Sequence, residues 1–172
     1  LTLLDRKPKG PWFLQVNFPG PHSPFLVTKS MADTVTQRTW PDPTDGAKAA
    51  CPNVPGKPGN GGRCNYGAEI ERLDSLFADI VNKVREIGEL SNTLVIVSSD
   101  HGEMLGDHND NGKTLPWQGS VSVPLLVFGL GVLANKTVTS PVATLDIAGT
   151  VLDFAGLSPA QGMTTRSLKP FL

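Results

Sequence analysis

No run in this sequence of 172 residues approaches the roughly 18 consecutive apolar residues that a membrane-spanning helix needs. Charge of one sign is also missing. Fifteen Lys and Arg against 16 Asp and Glu leave a formal net charge of -1, which is no footprint for a phosphate backbone, so nucleic acid is not an expected partner. The opening residues, Leu1-Thr2-Leu3-Leu4-Asp5-Arg6-Lys7, lack the apolar stretch of a secretory leader. That absence excludes little, because the chain opens on Leu rather than Met and a processed or truncated start is expected. Internal repeats, low-complexity tracts and a second domain are not detectable either.

Cysteine is scarce, and its placement matters more than its number. Cys51 and Cys64 flank a loop rich in Pro and Gly, where a disulfide would restrict an otherwise costly flexible segment. Two free thiols in a reducing compartment are the alternative, since two cysteines alone do not fix the redox setting. Asn135-Lys-Thr137 is an acceptor triplet for N-glycosylation, which matters only in a secreted eukaryotic protein. Together these features point towards export. What is present in quantity is ordinary globular material, 39% apolar and 18% charged. A domain of this size buries roughly 70% of its unfolded surface.

Trp12-Phe-Leu-Gln-Val-Asn-Phe18 reads as a buried strand stopped by Pro19-Gly-Pro21, with His22 directly after the stop. Residues 32–64 show no apolar period and read as a long surface insertion. Ile70, Leu73, Phe77, Ile80, Val84 and Ile87 then recur every three or four residues, which places them on one stripe of a helix over residues 66–87, stopped by Gly88. Thr93-Leu-Val-Ile-Val-Ser98 is an unbroken run dominated by β-branched residues, the pattern of a parallel strand covered on both faces. A second apolar run spans residues 121–128, with Pro124 near its start, where an edge or first-residue position tolerates the missing N–H. Residues 145–154 read as an apolar helix stopped by Gly156. Strands interleaved with helices predict an α/β layer architecture.

The chemistry concentrates in Leu94-Val-Ile-Val-Ser-Ser-Asp100-His101-Gly102-Glu103. Asp100 and His101 fall where the strand ends, the edge at which open α/β sheets bind ligands. A carboxylate beside an imidazole is a competent donor pair for a divalent cation, and Gly102 would let the backbone turn close to the ion. A plain Asp-His-Gly turn with a capped helix behind it explains the same residues. His22 by itself suits a surface loop equally well, yet it too follows a predicted strand. Glu103, Asp107 and His108 could orient the ligands, or could be an acidic helix start answering the macrodipole.

The stretch Asn92-Thr-Leu-Val-Ile-Val-Ser-Ser-Asp100-His101-Gly102-Glu103-Met-Leu-Gly-Asp-His108, followed by Gly112-Lys113 and Val123-Pro-Leu-Leu-Val127, resembles the C-terminal half of a sulfatase catalytic domain in the alkaline phosphatase superfamily. Upstream, Phe13-Leu-Gln-Val-Asn-Phe-Pro-Gly-Pro-His22 resembles the strand and loop presenting a substrate-contacting histidine. Downstream, residues 146–156 and 162–168 resemble the family's helix and closing segment. The resemblance implies an α/β fold, part of an alkaline-phosphatase-like sandwich with a mostly parallel sheet flanked by helices. Residues 1–172 would form the C-terminal part of the catalytic domain, with a loop insertion at 32–64. It further implies that Asp100 and His101 hold a divalent cation, calcium ahead of manganese. His after the Asp is more like choline sulfatases and phosphonate monoester hydrolases. Lys113 would place an ammonium against a sulfate or phosphate oxygen, and His22 would donate to an ester oxygen or assist the leaving group. The implied substrate is a small-molecule or glycan sulfate ester.

Sulfatases use a formylglycine made inside a Cys/Ser-x-Pro/Ala-x-Arg segment, and this chain contains none: Cys51 precedes Pro-Asn-Val-Pro and Cys64 precedes Asn-Tyr-Gly-Ala. The N-terminal acidic metal ligands are missing too, so the formylglycine is expected only in the N-terminal half of such a domain, which becomes an implied partner. Asp100 and His101 alone would leave a cation incompletely ligated, and negligible turnover is expected of this chain by itself. Trp117-Gln118 stands where relatives often have Tyr-Glu. Three readings follow: part of a sulfatase, part of a phosphodiesterase or phosphonate monoester hydrolase, or a noncatalytic domain of the same fold.

Overall fold

The computed structural model describes residues 2–6, 9–35, 41–46 and 62–172, which divide into two compact units, Leu1–Ile87 with His101–Ser122 and Gly88–Asp100 with Val123–Leu172. The first contains α1 (Thr2–Asp5), α2 (Lys29–Val35), α3 (Gly62–Glu86) and α4 (Gln118–Val121). The second contains β1 (Leu94–Ser98), β2 (Leu125–Gly129) and α5 (Asp146–Phe154).

In the first unit the predicted helix is present and begins earlier, at Gly62. The apolar stripe does not carry the tightest packing: Val84 is buried at 4% exposure, but Ile70 is 43% exposed. The closest contacts use the small residues of the first turns instead. Ala68 packs with Val27, Ala32 and Met31, while buried Asn65 donates to the Phe25 carbonyl (3.1 Å) and the Tyr66 and Phe25 rings meet in a T-shape at 5.7 Å between ring centres. Small side chains let a neighbouring segment approach, which a search for large apolar residues overlooks. Lys83 pairs with Asp5 at 2.5 Å and ties α1 to α3.

The reading of residues 32–64 as one insertion is corrected at both ends, since α2 runs to Val35 and α3 starts at Gly62. Residues 41–46 form a turn docked on the segment after His101. Thr44 N–H donates to Asp107 Oδ1 (2.8 Å), His108 N–H donates to the Thr44 carbonyl (2.7 Å) and Asn109 Nδ2 donates to the Asp45 carbonyl (3.1 Å). Residues 36–40 and 47–61, with Cys51 among them, lie outside the described residues. Cys64 itself is disulfide-bonded and 1% exposed. Residues 12–18, predicted as a strand, have no strand assignment. A strand exists only through its ladder, and no described segment pairs with this one.

In the second unit β1 lies where the β-branched run predicted a strand, but the expectation of a parallel, fully covered strand is overturned. β1 and β2 pair antiparallel, Leu94 opposite Gly129 through Ser98 opposite Leu125, and all five β1 residues are half-buried. The α/β class stands, whereas the mostly parallel sheet does not describe this ladder. β-branched content reports burial and says nothing of strand direction, and the chain between β1 and β2 has a three-residue 3₁₀ segment and the short α4 rather than a long crossover helix. Pro124 directly precedes the first residue of β2, where no ladder N–H is lost.

α5 ends as predicted. Leu157 N–H donates to the Leu152 carbonyl (2.8 Å) and Gly156 N–H to the Asp153 carbonyl (3.1 Å), the paired bonds of a Schellman stop. The closing segment is held to α5 by hydroxyls. Thr150, 1% exposed, donates to the Asp146 carbonyl (2.7 Å) and accepts the Leu168 N–H (2.8 Å), while Thr165 accepts the Gly149 N–H (2.8 Å).

Candidate functional site

Among the sequence-predicted site residues, His22 and Lys113 come together. Ninety-one positions apart in the chain, Lys113 Nζ lies 2.8 Å from His22 Nε2 (|i−j|=91). The other ring nitrogen settles the proton: Nδ1 is 2.6 Å from the Ser23 carbonyl, which can only accept, so Nδ1 carries the hydrogen. In the neutral ring Nε2 then offers its lone pair to the Lys113 ammonium. An ammonium has three protons, so this bond leaves two for an anion.

Lys113 is placed by residues that sequence reasoning left unassigned. The Glu103 carboxylate accepts the N–H of Gly112, and Met104 N–H donates to the Gly112 carbonyl (2.9 Å). Both backbone groups of the residue before Lys113 are therefore gripped, and Gly112 accepts the required φ of 85° without a side-chain clash. Asp107 has a similar structural duty, pairing with Arg63 and accepting the Thr44 N–H, while Arg63 Nε donates to the Leu105 carbonyl (3.0 Å). Nothing in the sequence singled out Arg63, because an arginine in the first turn of a helix has no local signature.

The acidic helix start expected at residues 103–108 is absent. The chain makes a turn there and a three-residue 3₁₀ segment, Asp107–Asn109, in which His108 adopts φ 54°. The macrodipole explanation for these acids therefore falls, and their carboxylates serve as acceptors for the loop. His108 stacks on Trp117 at 4.4 Å between ring centres and sits 3.7 Å from Asp45, so the Trp at this position is used in packing.

Gly102 answers a packing requirement of its own. A Cβ there would stand 2.1 Å from the Gly119 carbonyl oxygen, and Gly102 N–H donates to the Ser120 carbonyl at 2.7 Å. His101 belongs to this unit, and its Nδ1 donates to the Gly102 carbonyl (2.9 Å), the tautomer with no hydrogen on Nε2. Asp100 closes the β1 segment of the other unit, exposed, with Ser99 Oγ 3.3 Å from its Oδ1. Each is a competent donor. Among the described residues no group of three or more His, Cys, Asp or Glu is arranged to hold a metal.

The field around the Lys113 loop acts on Tyr66. Burial raises its phenol above the ordinary value, and the charges of Glu103 and Glu69 raise it further. Glu69 is itself raised by burial, partly offset by a hydrogen bond from the Leu26 backbone.

The sequence matches the family model described as Sulfatase over residues 1–157. It is 30% identical over 188 aligned positions to an arylsulfatase of Clostridium perfringens, covering 99% of this chain and 39% of that protein. Its fold is similar to that of a phosphonate monoester hydrolase of Agrobacterium radiobacter, with a TM-score of 0.83 and 27% identity, covering 99% of this chain and 40% of the other. A TM-score of 0.62 and 30% identity relate 66% of the chain to 23% of BT4656, solved in complex with its substrate D-glucosamine-2-N,6-O-disulfate. The chain spans between 9% and 39% of the length of the first curated relatives it matches. No helix among the described residues is long and apolar enough to cross a membrane.

Proposed function

Since the chain belongs to the sulfatase family, we propose that it supplies the anion-binding half of a sulfuric ester hydrolase, with Lys113 as the sulfate-binding cation and His22 as its partner. The observation that carries this reading is the 2.8 Å approach of Lys113 Nζ to His22 Nε2. An ammonium that donates one proton to an imidazole nitrogen has two left for the oxygens of a tetrahedral oxyanion.

The geometry refines the role of His22. With Nδ1 committed to the Ser23 carbonyl and Nε2 accepting from Lys113, the neutral ring cannot also donate to an ester oxygen. It orients Lys113 in that state, and becomes a donor to an ester or leaving-group oxygen once Nε2 gains a proton. Sulfatases are generally metal-dependent. Asp100 and His101 are the donors this chain offers to a divalent cation, calcium ahead of manganese, and the remaining donors come from elsewhere. Formylglycine supplies the nucleophile in such enzymes, and the sequence contains no segment from which it is made. Turnover by the chain alone is therefore negligible, and the natural partner is the N-terminal half of a sulfatase domain, covalent or separate. The likeness to BT4656, whose substrate is a sulfated glucosamine, supports a glycan sulfate ester as substrate.

Titration of inorganic sulfate into the full chain tests the reading without requiring turnover. Lys113→Ala should weaken binding by roughly tenfold to a hundredfold, the worth of one charge-assisted hydrogen bond of about 1.5–3 kcal/mol. Wild-type affinity no better than that of the variant would sink the assignment. The similarity in fold to a phosphonate monoester hydrolase favours a second reading, a phosphonate or phosphodiester substrate. Methylphosphonate binding markedly tighter than sulfate would select it.

A further inference from the structure

We propose that Asn135 carries an N-linked glycan. Asn135-Lys136-Thr137 is the chain's one Asn-x-Ser/Thr triplet, and its middle residue is not proline. In the structure all three residues are exposed, on the connection between β2 and α5. The backbone of this connection is attached at its two ends. Leu133 N–H donates to the Leu172 carbonyl (3.0 Å) at one end, and Ala143 N–H donates to the Asp146 carboxylate (3.3 Å) at the other. Between them no hydrogen bond joins the chain to other described residues. A modifying enzyme could therefore draw residues 134–139 into its own groove while β2 and α5 stay folded.

A bland account explains half of the triplet. Asn135 sits at φ 57°, a left-handed conformation in which asparagine is several-fold enriched, so the turn alone justifies an Asn. It does not ask for a hydroxyl two residues later, and among the described residues Thr137 makes no hydrogen bond that would require one. An independent observation concerns the compartment. Cys64 is disulfide-bonded and 1% exposed, which fits folding in an oxidising lumen, where N-linked transfer also takes place.

The co-reactant is a lipid-linked oligosaccharide diphosphate. Asn135 Nδ2 attacks the anomeric carbon, the new carbon–nitrogen bond forms as the bond from that carbon to the phosphate oxygen breaks, and the lipid diphosphate leaves with the electron pair. The amide proton lost from Nδ2 passes to a base of the transferase. No electrons are transferred in a redox sense.

The deciding measurement is mass spectrometry of the native full-length protein, before and after peptide N-glycosidase digestion in heavy-oxygen water. The peptide containing Asn135 should be detected only after digestion, converted to Asp and labelled. In a eukaryotic secretory host the chain should show an enzyme-sensitive mass shift. That shift should be lost completely in Asn135→Gln and in Thr137→Ala and retained in Thr137→Ser. Native peptide with unmodified Asn135, or an enzyme-sensitive shift that survives Asn135→Gln, would overturn the proposal. The outcome is independent of sulfate binding and of the role given to Lys113.

Discussion

Replacing Gly102 by alanine should destabilise the first unit more than replacing Gly112, although of the two only Gly112 has a positive φ. At Gly102 the added Cβ would lie 2.1 Å from the Gly119 carbonyl oxygen and 3.2 Å from that of Ser120. Ordinary contact distances are roughly 3.5 Å, so the two backbones must part by more than about 1 Å. Neither can yield easily. Ser120 is 3% exposed and Met104 1% exposed, and the Gly102 N–H to Ser120 carbonyl bond of 2.7 Å lies in the path of the movement. Overpacking of this kind costs about 1–3 kcal/mol and the lost hydrogen bond about 1 kcal/mol, so about 2–4 kcal/mol in all is expected. At Gly112 nothing lies within 4 Å of a Cβ, and the cost is the left-handed conformation alone, about 1–2 kcal/mol. Urea unfolding of both variants, compared through midpoints at equal slope, measures the difference. A Gly102→Ala variant as stable as Gly112→Ala would refute the argument that close backbone approach, rather than a special dihedral or a bound ion, requires the glycine.

Three further outcomes follow from the same structure. Tyr66 is the chain's one tyrosine, so tyrosinate absorbance reports it alone. Its midpoint should lie above the ordinary value of about 10, and should fall without returning fully to it in Glu103→Gln, because burial is the larger cause; a midpoint unmoved by that substitution would separate Glu103 from Tyr66. For Glu69, whose pKa is raised by burial, the folded state favours the protonated acid. Its contribution is present below the ordinary glutamate value of about 4.3 and lost as pH rises through the folded value. Glu69→Gln should thus gain stability over wild type at neutral pH, by less than about 1 kcal/mol given its exposure, and the gain should vanish at lower pH. Thr150→Val keeps the side-chain shape but removes the acceptor of the buried Leu168 N–H. It should cost about 1–3 kcal/mol in thermal or chemical unfolding; a neutral substitution would mean that the hydroxyl does not hold the closing segment.

Legibility from sequence followed the range of the interaction. α3, β1, β2 and α5 and the stops at Gly88 and Gly156 are written locally, through apolar spacing, β-branched runs and the tolerance of glycine for left-handed turns. His22 and Lys113 could be named from resemblance, yet their contact spans 91 positions and no local pattern encodes it (|i−j|=91). The strand predicted at residues 12–18 and the parallel direction of β1 failed for one reason: pairing belongs to two segments, and one segment's composition cannot name the other.

The sequence by itself therefore determined the α/β class and the family, because side-chain chemistry and short-range periodicity are properties of the chain. Tertiary structure alone decided that Glu103 and Met104 grip Gly112, that Asp107 answers Arg63 and Thr44, and that Gly102 makes room for Gly119. Those depend on distances between backbones and side chains remote in sequence, which no single stretch of residues specifies.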